Sequence, residues 1–537
     1  MLTSLLLGLL AVLADACRLP AADNPDMELT RVFGDGVCED VRLERLRTLN
    51  DKLHPWSPPD SREAWDAERE RIQRQVSVAL GLWPMPAKTP LRPVIHSPVE
   101  KAGYTVYRVY FESRPGLYVT GSLYRPANDF PGLRPGVLCP HGHWADGRFY
   151  DAGDAAAKKQ IEQGAEVFDA AAHSPLQARM VQLARMGCVV FHYDMIGYAD
   201  AGPLDHRTGF NDARAELESE NIMGLQTWNS IRALDFIESL DGVDPDRLAV
   251  TGASGGGTQT FLLAALDDRP DVLFPAVMVS TAMQGGCVCE NASYLRLGLN
   301  NVALAALAAP RPMAMSGADD WTIDIETLGL PELKQVYGFY DRPELVDAKC
   351  WPQFGHNYNL HARTMMYTWF NQHLKLGLDE PIEERDFERL SRDELTVFTV
   401  EHPRPDDALL AEQLRARLTE ENRIRFNELL DGPREEYRHV VGGAAEVLVG
   451  SRWPLDVALS GRSQQRLADG TNLEAGTCEV VGSGEQVPFV RLTPAKPNGQ
   501  VVLWIDEAGK QAAVPAVGRA CRRRARTVGP GDDGRQR

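Results

Sequence analysis

Short apolar runs alternate with segments of helical periodicity over the middle of the chain. Two runs separated by a turn, 104–111 and 117–124, predict a β-hairpin. Further apolar runs predict buried strands at 136–140, 188–193, 248–251, 276–280, 312–316 and 350–354. The segment 218–240 predicts a helix, because apolar residues recur every three positions along one side, at Leu225, Trp228, Ile231, Leu234 and Ile237.

A hairpin followed by repeated strand–helix units is typical of an α/β fold. We therefore predict an α/β fold with a doubly wound and mostly parallel sheet. Crossover connections between parallel strands are almost always right-handed, so helices should cover both faces of the sheet.

Changes in pattern divide the chain into six segments. The predicted segments are an export signal at 1–16, an N-terminal helical extension at 24–100, the α/β domain at 101–377, a charged helical connector at 378–435, a β-rich segment at 436–510 and a disordered tail at 511–537. The β-rich segment resembles the start of the α/β domain, since 489–495 and 501–505 repeat the pattern of 121–127 and 136–139. We interpret it as a truncated second hydrolase-like domain or as a small accessory segment.

The N-terminus predicts an exported protein, periplasmic or extracellular. An apolar run at 5–13 is too short to span a bilayer and precedes the small-residue cleavage pattern Ala14-Asp15-Ala16. Cys17 follows at once, so a lipoprotein anchor is the alternative. No membrane-spanning segment is expected once the signal is removed.

Charge and cysteine content exclude several classes of partner and cofactor. The formal net charge of −18 over 537 residues argues against nucleic acid. Nine cysteines, an odd number, suggest no disulfide framework. Cys287 and Cys289 are too close together for a CxxC motif and lack a matching second pair, so neither a metal nor another cofactor is expected.

The motif Gly252-Ala253-Ser254-Gly255-Gly256 carries the first candidate for chemistry. It lies between a predicted strand and a predicted helix, where a nucleophile elbow belongs. Glycines at Gly252 and Gly256 permit a sharp turn around Ser254, the candidate nucleophile. The Gly255 N–H, at the start of the helix, is a candidate oxyanion donor.

A serine nucleophile needs a base and an acid that orients the base. His356 follows the last predicted strand, and Asp320 follows the strand before it. The order Ser, Asp, His is the order found in α/β-hydrolases, so we predict the α/β-hydrolase fold. Asp319 is the alternative acid, and Asp194, which precedes the serine, is interpreted as a residue that organises a loop.

The segment His141-Gly142-His143-Trp144 follows an earlier buried strand and is the candidate source of a second oxyanion donor. Gly142 permits a close approach of the backbone, and the His143 N–H is the predicted donor. Zinc binding through His141 and His143 is the alternative, but the sequence offers no third ligand cluster beside them.

Together these motifs resemble the acetyl xylan esterase-like branch of the α/β-hydrolases, related to cephalosporin C deacetylase and dienelactone hydrolase, over residues 90–377. The segments that carry the resemblance are HGHW, YDMIGYAD, GASGGGTQT, GGCVCENA, APRP, ADDWT and GHNYN. It favours Asp320 over Asp319, because the family's acid stands three residues after a glycine. In the related deacetylases an aromatic residue stands where this chain has His143. Glu290 and Asn291 lie in a motif that such relatives share, with no role assigned.

The sequence thus predicts a serine-dependent carboxylic-ester hydrolase that acts on a small-molecule or carbohydrate ester, of the acetyl xylan type. A prolyl oligopeptidase-like peptidase has the same triad, but the N-terminal segment is too short for the β-propeller of that class. A non-catalytic binding module with this fold is the remaining alternative. The sequence does not determine the oligomeric state.

Overall fold

A computed structural model describes most of the chain. The described residues are 32–33, 40–41, 54–127, 132–282, 285–450, 456–467, 469–505 and 509. The predicted export signal, Cys17 and the predicted tail at 511–537 lie outside the described residues. Contacts divide the chain into two compact units, of which the larger contains the described residues from 54 to 450.

The larger unit is built on a sheet of nine strands. In chain order they are β1 Val94–Lys101, β2 Tyr104–Arg114, β3 Leu117–Pro126, β4 Arg134–Leu138, β5 Val189–Tyr193, β6 Val243–Ala253, β7 Val272–Ala276, β8 Met313–Gly317 and β9 Val346–Cys350. Their order across the sheet is β1-β2-β3-β5-β4-β6-β7-β8-β9. The first three strands and β5 pair antiparallel, whereas β5, β4 and β6 to β9 pair parallel.

Helices connect these strands. Their bounds are α1 Arg62–Ala79, α2 Asp154–Glu162, α3 Asp169–His173, α4 Pro175–Arg185, α5 Ala213–Leu217, α6 Ile222–Glu238, α7 Gly255–Leu266, α8 Asn301–Ala306, α9 Leu330–Gly338, α10 Leu360–His373, α11 Arg392–Leu395, α12 Ala411–Asp431, α13 Arg434–Tyr437 and α14 Gly443–Val449. Short 3₁₀ turns lie at Gly147–Phe149 and Pro343–Leu345, and π turns at Ile325–Gly329 and Arg438–Gly442.

The parallel strands are buried on both faces. All five residues of β5, β7 and β8 are buried, so these strands read as continuous apolar runs and not as alternating ones. Two large clusters of buried side chains lie in the unit: one includes Trp228 of α6 and Phe261 of α7, and the other includes Met180 of α4 and Phe370 of α10. Because the strands run parallel, the loops that follow them meet at one edge of the sheet.

The smaller unit contains a separate antiparallel sheet of three strands. These are β10 Val457–Arg466, β11 Asn472–Val480 and β12 Glu485–Thr493, in that order across the sheet. The β-rich character predicted for 436–510 is confirmed from Val457 onward, whereas Arg438–Gly442 and Gly443–Val449 are helical. Its interpretation as the start of a second hydrolase-like domain stays a prediction.

The predicted fold class, α/β with the α/β-hydrolase arrangement, is confirmed, with local differences. The strands expected at 276–280 and 350–354 lie four residues earlier, as β7 and β9. The sheet also begins at β1, before residue 101, where the sequence predicts its domain to start. In the connector, the charged stretch at 385–395 is helical only in α11.

Among the described residues, no helix is both long enough and apolar enough to cross a bilayer.

Candidate active site

Ser254 occupies a sharp turn between β6 and α7. Its backbone has φ 58° and ψ −125°, a conformation that non-glycine residues seldom adopt. Such a residue costs about 1–3 kcal/mol of strain and persists where the surroundings hold it in place. Here the Ser254 N–H donates to the Ala276 carbonyl at 3.2 Å, and α7 begins directly after it. This is the geometry of a nucleophile elbow.

The glycines beside Ser254 are needed because the loop after β4 packs against this turn. A Cβ on Gly252 would lie 2.5 Å from the Pro140 carbonyl oxygen, and one on Gly256 would lie 2.3 Å from the same atom. A Cβ on Gly142 would lie 2.8 Å from Ser254 Cβ. The spacing of glycines in the sequence therefore reflects direct backbone crowding around the serine.

Asp320 and His356 form a hydrogen-bonded pair at the same edge of the sheet. His356 Nδ1 lies 2.7 Å from Asp320 Oδ2. The other carboxylate oxygen of Asp320 accepts from the Thr322 N–H at 2.6 Å and from the Thr322 hydroxyl at 2.5 Å. These contacts fix the carboxylate, whose side chain is only 6% exposed. The Trp321 ring lies against the imidazole, with ring centroids 4.7 Å apart.

The alternative acid, Asp319, does not share this arrangement. Its backbone N–H donates to the Phe354 carbonyl at 2.8 Å, and among the described residues its carboxylate has no hydrogen bond to His356. Asp320 is therefore the residue placed to orient the imidazole. Its catalytic role remains a prediction.

The structure places each of the three residues beyond the end of a strand: Ser254 after β6, Asp320 after β8 and His356 in the loop after β9. Within the described residues, no hydrogen bond joins the Ser254 hydroxyl to His356. Catalytic hydrogen bonds are often long in a ligand-free site and shorten when substrate binds. Ser254 is only 9% exposed, so little of this residue is open to solvent.

The two predicted oxyanion donors lie close to each other. A Cβ on Gly255 would be 3.5 Å from His143 Cε1, so these two residues are neighbours. Among the described residues, neither the Gly255 N–H nor the His143 N–H donates to an acceptor. Free amides beside a serine, one of them at a helix N-terminus, can bind a developing negative charge.

His141 is structural in this arrangement. Its ring is fully buried, and His141 Nδ1 donates to the Gly142 carbonyl at 2.8 Å while Nε2 accepts from the Met195 N–H at 3.1 Å. Burial lowers the pKa of His141 to about 3, so the ring is neutral at neutral pH. Trp144 packs over Gly142, with its ring next to that of Tyr150 at a centroid distance of 6.5 Å.

Asp194, interpreted from the sequence as a residue that organises a loop, lies directly after β5 in a hydrogen-bonded network. Its carboxylate accepts from Thr120 Oγ1 at 2.6 Å and from Arg148 Nε at 2.7 Å. Arg148 also contacts Asp200, and all three charged groups are buried. Such a network is costly to break, because removal of one partner leaves a buried charge unpaired.

A cluster of possible metal ligands that no sequence motif signals lies beside Gly255, the residue after Ser254. His143, His206, Cys287 and Cys289 bring their ring nitrogens and thiol sulfurs within 4.8 Å of one another. The sequence predicted no further ligand beside His141 and His143, and no second pair for Cys287 and Cys289. The structure instead places His143, His206 and both cysteines together, without His141. The ligands come from three separate loops, and a lone His206 carries no motif that would have signalled it.

The sheet order, the elbow at Ser254 and the acid–histidine pair define an α/β-hydrolase. Residues 225–281, which contain the elbow, match the family model described as acetyl xylan esterase. The predicted resemblance to this branch is confirmed by that match.

Similarities to individual proteins cover part of the chain. The chain is 32% identical over 145 residues to the protein named "Putative hydrolase YtaP" of Bacillus subtilis (strain 168), which covers 25% of this chain and 40% of that protein. The chain thus spans less than half the length of this curated relative. Among solved structures it is similar to "Methylesterase BT1017", with a TM-score of 0.49, 28% identity and coverage of 64% and 69% of the two chains. A glucuronoyl esterase from Solibacter usitatus gives a TM-score of 0.41, 16% identity and coverage of 62% and 98%.

Proposed function

We propose that this protein is a serine-dependent carboxylic-ester hydrolase that works through an acyl-enzyme. The observation that carries the proposal is the 2.7 Å hydrogen bond between His356 and Asp320 at the sheet edge that also presents Ser254. The three residues follow in the chain order of this fold, and the elbow lies in the segment that matches the acetyl xylan esterase family.

The reaction follows from these positions. His356 takes the proton of the Ser254 hydroxyl as the oxygen attacks the ester carbonyl carbon. Asp320 holds the imidazole in the required tautomer and stabilises the imidazolium. The amides of Gly255 and His143 bind the oxyanion, and loss of one such donor costs about 3–4 kcal/mol in the transition state. His356 then protonates the leaving alkoxide, and water, activated by the same imidazole, hydrolyses the acyl-enzyme.

The proposed substrate is an acetyl ester of a carbohydrate. The matched family model is the support for this choice. Trp321, which lies against the His356 ring and is 40% exposed, also offers an aromatic face that can pack against the C–H groups of a sugar ring. We propose no nucleic-acid partner, in keeping with the net charge of −18.

Replacement of the serine tests this function. We expect Ser254→Ala to lower kcat/KM by on the order of 10⁴-fold or more on p-nitrophenyl acetate, and to abolish acetate release from acetylated xylan. Ser239→Ala, a serine at the end of α6, should retain wild-type activity. Equal rates for wild type and Ser254→Ala on both substrates would overturn the esterase proposal and favour a binding module. Cleavage of a prolyl peptide in place of esters would favour the peptidase.

A further inference from the structure

The four residues His143, His206, Cys287 and Cys289, here called the His–Cys cluster, lie outside the proposed triad. His143 comes from the loop after β4, His206 from the loop after β5, and the cysteines from the loop after β7. These strands are near neighbours in the sheet, so their loops meet at one edge. His206 and Cys289 are buried, and His143 and Cys287 are partly buried.

Distances within the His–Cys cluster match those around one tetrahedral metal ion. His143 Nε2 lies 3.3 Å from His206 Nε2, Cys287 Sγ lies 3.4 Å from His206 Nε2, and Cys289 Sγ lies 3.2 Å from His143 Nε2. Bonds of about 2.05 Å to nitrogen and 2.3 Å to sulfur in a tetrahedron place two nitrogens about 3.3 Å apart and nitrogen about 3.6 Å from sulfur.

The imidazoles are also held in the orientation that a metal requires. His206 Nδ1 donates to the Ile196 carbonyl at 2.7 Å, which leaves a lone pair on Nε2, the atom that faces the cluster. Glu290, whose side chain is 5% exposed, has its Oε1 atom 3.6 Å from His143 Nδ1. Metal-binding histidines typically contact a carbonyl or carboxylate through the other ring nitrogen in this way.

We propose that His143, His206, Cys287 and Cys289 bind one zinc ion. Two thiolates and two imidazoles in a tetrahedron form a ligand set that zinc prefers. Because the protein supplies all four ligands, no position is left for a reacting water, and the ion acts as a clamp between loops.

The clamp would act on the oxyanion side of the proposed active site. A Cβ on Gly255 would lie 3.5 Å from Glu290 Oε1 and 3.6 Å from Cys289 Sγ, so the cluster borders the first residue of α7. The ion would fix His143, whose amide is a proposed oxyanion donor. The four residues are therefore positioning residues. Zinc binding itself does not rest on the proposed function; only the effect of zinc on the reaction rate does.

Metal content tests the proposal without reference to activity. The full chain, purified under reducing conditions, is analysed by inductively coupled plasma mass spectrometry. We expect one zinc per chain in the wild type and in Cys188→Ala, which removes a buried thiol outside the cluster. His206→Ala and Cys287→Ala should bind zinc substoichiometrically. A wild type without zinc, or with another metal at one per chain, would overturn the assignment.

Two further measurements keep the test decisive if a variant fails to fold. Wild type reconstituted with Co²⁺ should show the visible absorption of tetrahedral thiolate-bound cobalt, and its absence would contradict the proposal. Alkylation of the denatured protein without reductant should modify both Cys287 and Cys289, whereas a disulfide between them would contradict it.

The effect on rate separates the two proposals. Removal of zinc by a chelator should lower kcat by on the order of 10²-fold with a smaller change in KM, since a donor displaced by about 1 Å costs that much. Added zinc should restore the rate. Stoichiometric zinc in a protein without esterase activity would uphold the metal site and overturn the proposed function. Esterase activity in a protein without zinc would uphold the proposed function and overturn the metal site.

Discussion

Ser254 lies between two regions of different construction. On one side, Asp320 and His356 are joined by a single 2.7 Å hydrogen bond, and the His356 side chain is 29% exposed. On the other side, His143 and the His–Cys cluster bring together three loops through several close contacts. In the proposed mechanism, the first region moves a proton through an imidazole that is partly accessible. The second region holds the proposed oxyanion donors in place, which charge stabilisation requires.

This difference suggests how each region should respond to change. The Asp320–His356 pair should tolerate substitution structurally but lose catalytic rate, because its imidazole is partly exposed. The side that contains Gly142, His143 and the His–Cys cluster is here called the crowded side. Substitutions there should lower both stability and catalytic rate, because its atoms have little room to move.

The largest effect in this comparison is expected at the acid. Asp320→Asn should lower kcat by on the order of 10³–10⁴-fold, since an amide favours the wrong imidazole tautomer, with little change in the free energy of unfolding. Steady-state kinetics on p-nitrophenyl acetate with urea denaturation measures both. Asp319→Asn is the matched control and should stay near wild type. The reverse ranking of the two variants would exclude Asp320 as the acid.

An intermediate effect is expected where the loop after β4 meets the serine. Gly142→Ala should lower kcat by on the order of 10²-fold and destabilise the protein by about 1–3 kcal/mol. The added methyl would lie 2.7 Å from the Ala253 carbonyl oxygen and 2.8 Å from Ser254 Cβ. Kinetics and denaturation of the same preparation give the two numbers.

Gly338→Ala provides the control for that substitution. A Cβ there meets nothing within 4 Å, so activity and stability should be unchanged or slightly higher. Wild-type kinetics in Gly142→Ala would show that the loop does not position the oxyanion donors.

The smallest effect concerns acid stability on the crowded side. Burial lowers the pKa of His141 from 6.5 to about 3. The imidazole therefore binds a proton more readily in the unfolded chain than in the folded one. The stability that the neutral ring contributes is complete above about pH 6.5 and is lost as the pH falls toward 3. We expect the urea midpoint of the wild type to fall over this window.

His141→Gln should make that fall shallower, although its stability at neutral pH is lower. His361→Gln, on the outside of α10, should keep the steep fall of the wild type. An equally steep fall in His141→Gln would mean that other groups govern the acid sensitivity.

The Asp320–His356 pair could be predicted from the sequence because each of the two residues follows an apolar run. The order of Ser254, Asp320 and His356 along the chain then indicated that the three residues belong to one site. Strand ends were less predictable. Residues 272 to 280 are all buried, so the apolar run continues beyond Ala276, where pairing with β6 ends at Ala253.

The crowded side could be predicted only in part. Gly142 and His143 stand in a recognisable motif, but the partners of His143 are distant in the chain. His206 lies 63 residues away and Cys289 lies 146 residues away. Spacing alone does not show that their loops meet, since this follows from the order of β5, β4, β6 and β7 in the sheet.

The central claim is that Ser254 forms the acyl-enzyme, and covalent labelling tests it most directly. Wild type is treated with a fluorophosphonate probe, digested and analysed by peptide mass spectrometry. We expect one adduct, on Ser254, formed in step with loss of esterase activity and absent from Ser254→Ala. An adduct on another residue, or full inactivation with Ser254 unmodified, would contradict the account.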